Sequence, residues 1–189
     1  MKKIDVSDWK GFVISKLFVI KSPSKRTESE YGEGDVPYIS SGKVNNGIKS
    51  YLKPKDDEEL EKGNCITISP LDGTAFYQED DFLGRGGAGS AISMIYNDNL
   101  SKNNALFICT VIKIVAEKFY YDDALTSDNL KNLVIKLPVL HNEDGSYYYD
   151  VNKEYSDEGY IPDWEYMSNY MESIELKAQE RIDLLKSII

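Results

Sequence analysis

The stretch DWEYMSNYMESIELKAQERIDLLKSII, Asp163 to Ile189, decides the architecture. After Pro162 no glycine or proline interrupts it, and Met167, Met171, Ile174, Ala178, Leu185 and Ile188 recur on one heptad seam. Arg181 is the single break, with Ile182 beside it. This periodicity predicts a helix from Trp164 to about Ser187, with Asp163 as its N-cap. Tyr166 occupies the third helical position, so no Glu completes a capping box. At ~1.5 Å per residue the helix is about 35–40 Å long, more than a small domain needs. A seam of period 3.5 asks for a partner helix.

The residues ahead of this helix follow other periods. Trp9–Ile20 alternates as a strand, with a possible break at Lys10-Gly11. Lys21–Gly34 is polar apart from Tyr31 and reads as a loop. Val36–Ser41 is a strand entering a turn at Gly42–Gly47, where Asn46-Gly47 tolerates positive φ. Strands are predicted at Gly63–Ser69, Thr74–Gln78, Ala91–Tyr96 and Leu133–Val139. Between the last two, Leu106, Cys109, Ile112 and Ala116 repeat at helical spacing behind Ser101, a candidate N-cap. The fold class is α+β: a compact mixed α/β domain over residues 1–160, then the long helix over 161–189.

Composition narrows the chemistry. The chain has 189 residues, 41% hydrophobic and 29% charged, which fits one domain with an appended helix. No apolar run is long enough to cross a membrane. No apolar segment follows the basic N-terminus, so no signal peptide is expected and a cytoplasmic location is. Cys65 and Cys109 sit in apolar runs and read as buried thiols. One histidine, His141 in a polar segment, excludes two-histidine metal sites and leaves a solvated loop as its reading. The acidic runs Asp56–Glu61 and Glu79–Asp81 lack calcium-loop spacing and read as solvated turns. No metal and no cofactor is expected.

The net charge is −10, and it is unevenly placed. Residues 1–55 hold eleven Lys/Arg against six Asp/Glu, a net of +5, and the remainder carries −15. A phosphate-binding face is therefore sought in the first third. Lys21, Lys25 and Arg26 are candidates for phosphates. Ser40, Ser41, Lys43, Asn45 and Asn46 surround a tight turn with donors and acceptors suited to base edges. Gly84–Gly89 formally matches G-x-G-x-x-G, but a strand rather than a helix follows, so it reads as a glycine loop presenting Arg85 and Ser90. Tyr147, Tyr148, Tyr149, Tyr155, Tyr160, Tyr166 and Tyr170 stand among acidic residues and read as a packing surface rather than a base-stacking one.

Several blocks occur in a telling order. They are Val36-Pro-Tyr-Ile-Ser-Ser-Gly-Lys-Val-Asn-Asn-Gly-Ile48, Gly63-Asn-Cys-Ile-Thr-Ile-Ser69, and Asp72-Gly-Thr-Ala-Phe-Tyr-Gln78. Asn104-Ala-Leu-Phe-Ile-Cys-Thr-Val-Ile112, Ile135-Lys-Leu-Pro-Val139 and Asp163-Trp-Glu-Tyr-Met167 follow. Together they resemble the target recognition domain of a type I restriction–modification specificity (S) subunit, at half the length of that family. The resemblance implies a non-catalytic module that reads double-stranded DNA. It also implies partners: a methyltransferase (modification) subunit using S-adenosylmethionine, and a restriction subunit. In the family two such units share a chain and their helices pair antiparallel. With one unit here, a homodimer through the helix is expected, Arg181 facing Glu172 or Glu175 of the second copy. The acidity after residue 55 supports one other reading, a decoy that binds the methyltransferase subunit without reading DNA.

Overall fold

The computed structural model describes residues 4–87, 91–117, 125 and 127–187. The order is β1 (Lys10–Val13), α1 (Ile14–Leu17), β2 (Val19–Lys21), β3 (Glu33–Ile39), β4 (Ile48–Leu52), β5 (Cys65–Ile68) and β6 (Ala75–Gln78). Then come β7 (Leu83–Gly84), β8 (Ser93–Tyr96), α2 (Lys102–Ala116), α3 (Ser127–Lys131), β9 (Val134–Leu137) and α4 (Trp164–Lys186). The α+β class and the long last helix are as the periodicity predicted.

Three small sheets share the work. A four-stranded sheet runs in the order β2-β8-β5-β6, antiparallel throughout. A second has the order β4-β3-β7, with β3 and β4 an antiparallel hairpin and β7 parallel to β3. β1 and β9 pair antiparallel at Phe12 and Ile135, bringing the chain's first strand to its last. The predicted strand Trp9–Ile20 is thus broken at Ile14–Leu17, not at Lys10-Gly11. One helical turn there buries Ile14 and Leu17 together, which a continuous strand would place on opposite faces.

β5 shows how the layers meet. All four of its residues are buried, because both faces are covered. Ile66 and Ile68 enter the main core with Ile95, Ile108, Ile112 and Leu137. Cys65 points to a second core with Ile39, Phe82, Ile92 and Met94. Cys65 and Cys109 are free and buried, and burial pushes each thiol up to about 12.

α2 is capped as its sequence asks. The Ser101 hydroxyl accepts from the Asn104 N–H, and Asn104 Oδ1 accepts from the Ser101 N–H, so Asn takes the place of the usual Glu in a capping box. α4 begins where Asp163 Oδ1 accepts from the Tyr166 N–H at 2.8 Å. Its first turns pack on α2, with Phe107 and Tyr170 edge to face at 5.7 Å and Ser101 and Ser168 hydroxyls 3.2 Å apart. Met167 is 0% exposed and belongs to the main core, and Met171 packs against it. Met167 is therefore not a partner-helix contact: the domain itself covers the start of the seam, where Met171 is half-buried. From Glu175 to Ser187 every side chain is exposed, Ala178 and Leu185 included. Ile174 is half-buried at the boundary, and Ile188 lies outside the described residues.

Tyr147, Tyr149 and Tyr160 pack ring against ring at 5.3–6.4 Å, and the Lys10 ammonium sits 4.5 Å above the Tyr147 ring. His141 lies on the same cluster, 5.0 Å from Tyr147.

Candidate nucleic-acid interface

Arg26, in a polar stretch that reads as a loop, is buried, with its side chain 1% exposed. Its guanidinium donates to Glu58 at 2.7 Å, to both oxygens of Glu61 at 2.6 and 2.7 Å, and to the carbonyls of Glu59 and Gly84. A guanidinium so enclosed does not meet a phosphate, which corrects its assignment as a phosphate contact. The same pairing corrects the reading of Asp56–Glu61 as wholly solvated turns. Buried Arg–carboxylate pairs tie segments together, and losing one partner costs about 3–5 kcal/mol. Burial by itself raises the Glu58 carboxyl, but hydrogen bonds from Arg26, the Lys55 N–H and Tyr31 outweigh it and hold the group below the usual carboxylate range.

Glu61 is the junction. Oε1 also accepts from the Ser24 N–H at 3.0 Å and Oε2 from the Gly84 N–H at 2.8 Å, while its main chain exchanges two hydrogen bonds with Phe82. The segment carrying Lys25 is thereby docked on the segment carrying Arg85. Lys25 and Gly86 form a parallel bridge there. A Cβ on Gly86 would lie 2.2 Å from the Pro23 and Ser24 carbonyl oxygens, so glycine alone permits this approach.

A cleft of about 420 Å³ opens over this junction, lined by Lys25, Thr27, Glu28, Ser29, Lys49 and Arg85 with buried Tyr38 among its walls. Lys25 is exposed and Arg85 half-exposed. Glu28 pairs with Lys49 and accepts from the Ser50 hydroxyl at 2.8 Å. The Lys49 hydrogen bond is the main cause that lowers the Glu28 carboxyl, and the field of Arg85 adds to it. Lys49 was missed in the sequence because β4 itself was missed: Ile48-Lys-Ser-Tyr-Leu52 is short and follows directly on a turn.

The remaining candidates lie elsewhere. At the β3–β4 turn Asn45, Asn46 and Gly47 all have positive φ, as the turn chemistry predicted for the last two. Asn46 donates to the Tyr77 carbonyl and Gln78 Oε1, so its amide holds the turn to β6. Ser40 is buried, its N–H bonded to the Gly47 carbonyl. Ser40 is a buried part of the hairpin, which corrects its assignment as a base contact, while Asn46 is exposed. Ser41 is half-buried. Asn45 and Lys43 are exposed, Lys43 paired with Asp72 at 3.6 Å. Lys21 is exposed, 5.1 Å over the Tyr96 ring, and borders a different depression with Ser24 and Glu61. Ser90 lies outside the described residues. Among the described residues no cluster of three or more His, Cys, Asp or Glu side chains is placed to hold a metal ion, and no helix is long and apolar enough to cross a membrane.

Comparison with known proteins identifies the class to which this fold belongs. The type I restriction modification DNA specificity domain matches residues 6–186, so the chain belongs to that family, a family of specificity modules and not of catalysts. It is similar to the specificity subunit S.BcgI of a type II restriction enzyme from Heyndrickxia coagulans, at 28% identity over 178 residues, 92% of this chain and 46% of the relative. The fold is shared with the S subunit of a type I restriction–modification system from M. genitalium (TM-score 0.53, 14% identity, 96% of this chain and 44% of that one). It is shared also with the HsdS subunit from Thermoanaerobacter tengcongensis (TM-score 0.54, 15% identity, 99% of this chain and 41% of that one). The chain spans less than half the length of these relatives.

Proposed function

We propose that this chain reads one half of a bipartite site in double-stranded DNA for a restriction–modification complex. The family match over residues 6–186 carries the reading. The cleft between Lys25 and Arg85 supports it, since it concentrates exposed positive charge on an acidic chain. Residues 1–160 act as the recognition domain and 161–189 as the spacer helix. The candidate DNA contacts are Lys25, Lys49 and Arg85 at the cleft, with Lys21, Ser41, Lys43, Asn45 and Asn46 outside it. Catalysis belongs to the partners, a methyltransferase (modification) subunit and a restriction subunit, in the cytoplasm where the DNA is.

A second copy of the chain would complete the site. The stripe of Ala178, Ile182 and Leu185 continues the seam of Met167 and Met171 past the point where the domain covers it. Antiparallel pairing across a two-fold axis would cover the exposed half and set one recognition domain at each end.

The test is co-expression with a type I modification subunit from the same genome, followed by mapping of methylated adenines. The expected result is one symmetric bipartite motif that vanishes when the chain is omitted. Methylation that the chain suppresses, or leaves unchanged, would instead favour the decoy.

A further inference from the structure

Lys25 and Arg85 are remote in sequence and line one cleft because of a carboxylate that the cleft does not contain. Each backbone N–H that Glu61 holds is one residue from a cation: Ser24 precedes Lys25, and Gly84 precedes Arg85. The Lys25 stem continues onto the glycine loop, where a Cβ on Gly87 would meet its Cγ at 3.2 Å. Arg26 fixes Glu61 in turn, and its own charge is matched by Glu58 and Glu61. Arg26 also lines the cleft, but with its charge so matched the remaining charges on the lining are Lys25, Lys49 and Arg85 against the single carboxylate Glu28. Thr27 and Ser29 add hydroxyl donors on the same wall. Several cations and hydroxyls converging on an open concavity suit a tetrahedral oxyanion.

We propose that this cleft seats a backbone phosphate of DNA, with Lys25, Lys49 and Arg85 as its cations and Glu61 as the positioning residue that holds their two segments together. The proposal rests on the DNA reading above. It differs from a base-reading role for Arg85, because a phosphate seat sets register and affinity without choosing sequence.

The experiment is the salt dependence of binding of the full chain to a 30-base-pair duplex of arbitrary sequence, followed by fluorescence anisotropy. Lys25→Ala, Lys49→Ala, Arg85→Ala and Glu61→Gln are compared with Lys136→Ala, an exposed lysine on β9. Loss of the seat lowers the slope of log K against log salt by ~1 and weakens binding about 5–10-fold at moderate salt, as loss of a phosphate contact should. Lys136→Ala leaves both unchanged. Glu61→Gln lowers the slope as much as Lys25→Ala with Arg85→Ala, and adding those two changes to it has no further effect. Full additivity would overturn the positioning role. Should Glu61→Gln fail to fold, Gly86→Ala separates the same segments without touching the carboxylate and is expected to give the same loss. A wild-type chain that binds duplex while Lys49→Ala and Arg85→Ala keep its slope overturns the seat and leaves the DNA reading standing. A wild-type chain that binds no duplex overturns both. Inorganic phosphate is the second probe. Saturable phosphate binding lost in Arg85→Ala, with duplex binding unaffected, reassigns the cleft to free phosphate and overturns the DNA assignment.

Discussion

One apolar stripe on α4 passes through two environments. From Met167 to Ile174 it lies against the domain, with Met167 sealed in the core and Tyr170 set edge-on to Phe107 of α2. From Ala178 to Leu185 the same stripe, continued at the same spacing, faces solvent, with Leu185 64% exposed. The helix is continuous, and ~18 Å of it extends beyond its last packed turn. The contrast separates two things that a heptad pattern merges. Periodicity says which face is apolar. What covers that face is decided by elements distant in the chain, here α2 for the first half.

The largest expected break in this comparison is at Met167. Met167→Ala should destabilise the chain by about 2–5 kcal/mol, the usual cost of truncating a sealed core side chain, read as a lowered urea midpoint at constant slope. Leu185→Ala, on the same stripe, should change monomer stability by no more than ~0.5 kcal/mol. Equal effects at the two positions would show that the exposed half is covered within the monomer. Asp163→Ala comes next, at about 1 kcal/mol, because it removes the side chain that satisfies the Tyr166 N–H and leaves the rest of α4 intact. The smallest effect on stability, and the most informative on assembly, is expected from Ile182→Asp with Leu185→Asp. Denaturation of the domain should be unchanged within ~0.5 kcal/mol, while mass by light scattering falls from two copies to one. A wild-type chain that stays monomeric at high concentration would refute the homodimer and leave the domain intact.

Legibility in the sequence followed the range of the interactions. Local chemistry was readable. Ser101 and Asp163 announced both long helices, and Asn46-Gly47 announced the turn that follows β3. The two cysteines announced the core. Long-range pairing was not readable. Arg26 and Glu61 are separated by thirty-five positions, and nothing near either signals the other. A basic residue in a polar loop was therefore read as a phosphate ligand when it is an internal tie. Lys25, next to it, is exposed in the cleft. The tie of the Asn46 amide to Gln78 of β6 is equally long-range and equally silent in the sequence. Lys49 was hidden because a five-residue strand behind a turn has too little alternation to declare itself.

Selection from a random duplex library by the full chain, with bound DNA sequenced, tests the central claim most directly. The account predicts enrichment of one defined motif over the starting pool, with the enriched sequence unchanged and the yield lower in Arg85→Ala. Retention of DNA without any enriched motif, or no retention at low salt, would contradict the assignment of this chain as a module that reads DNA sequence.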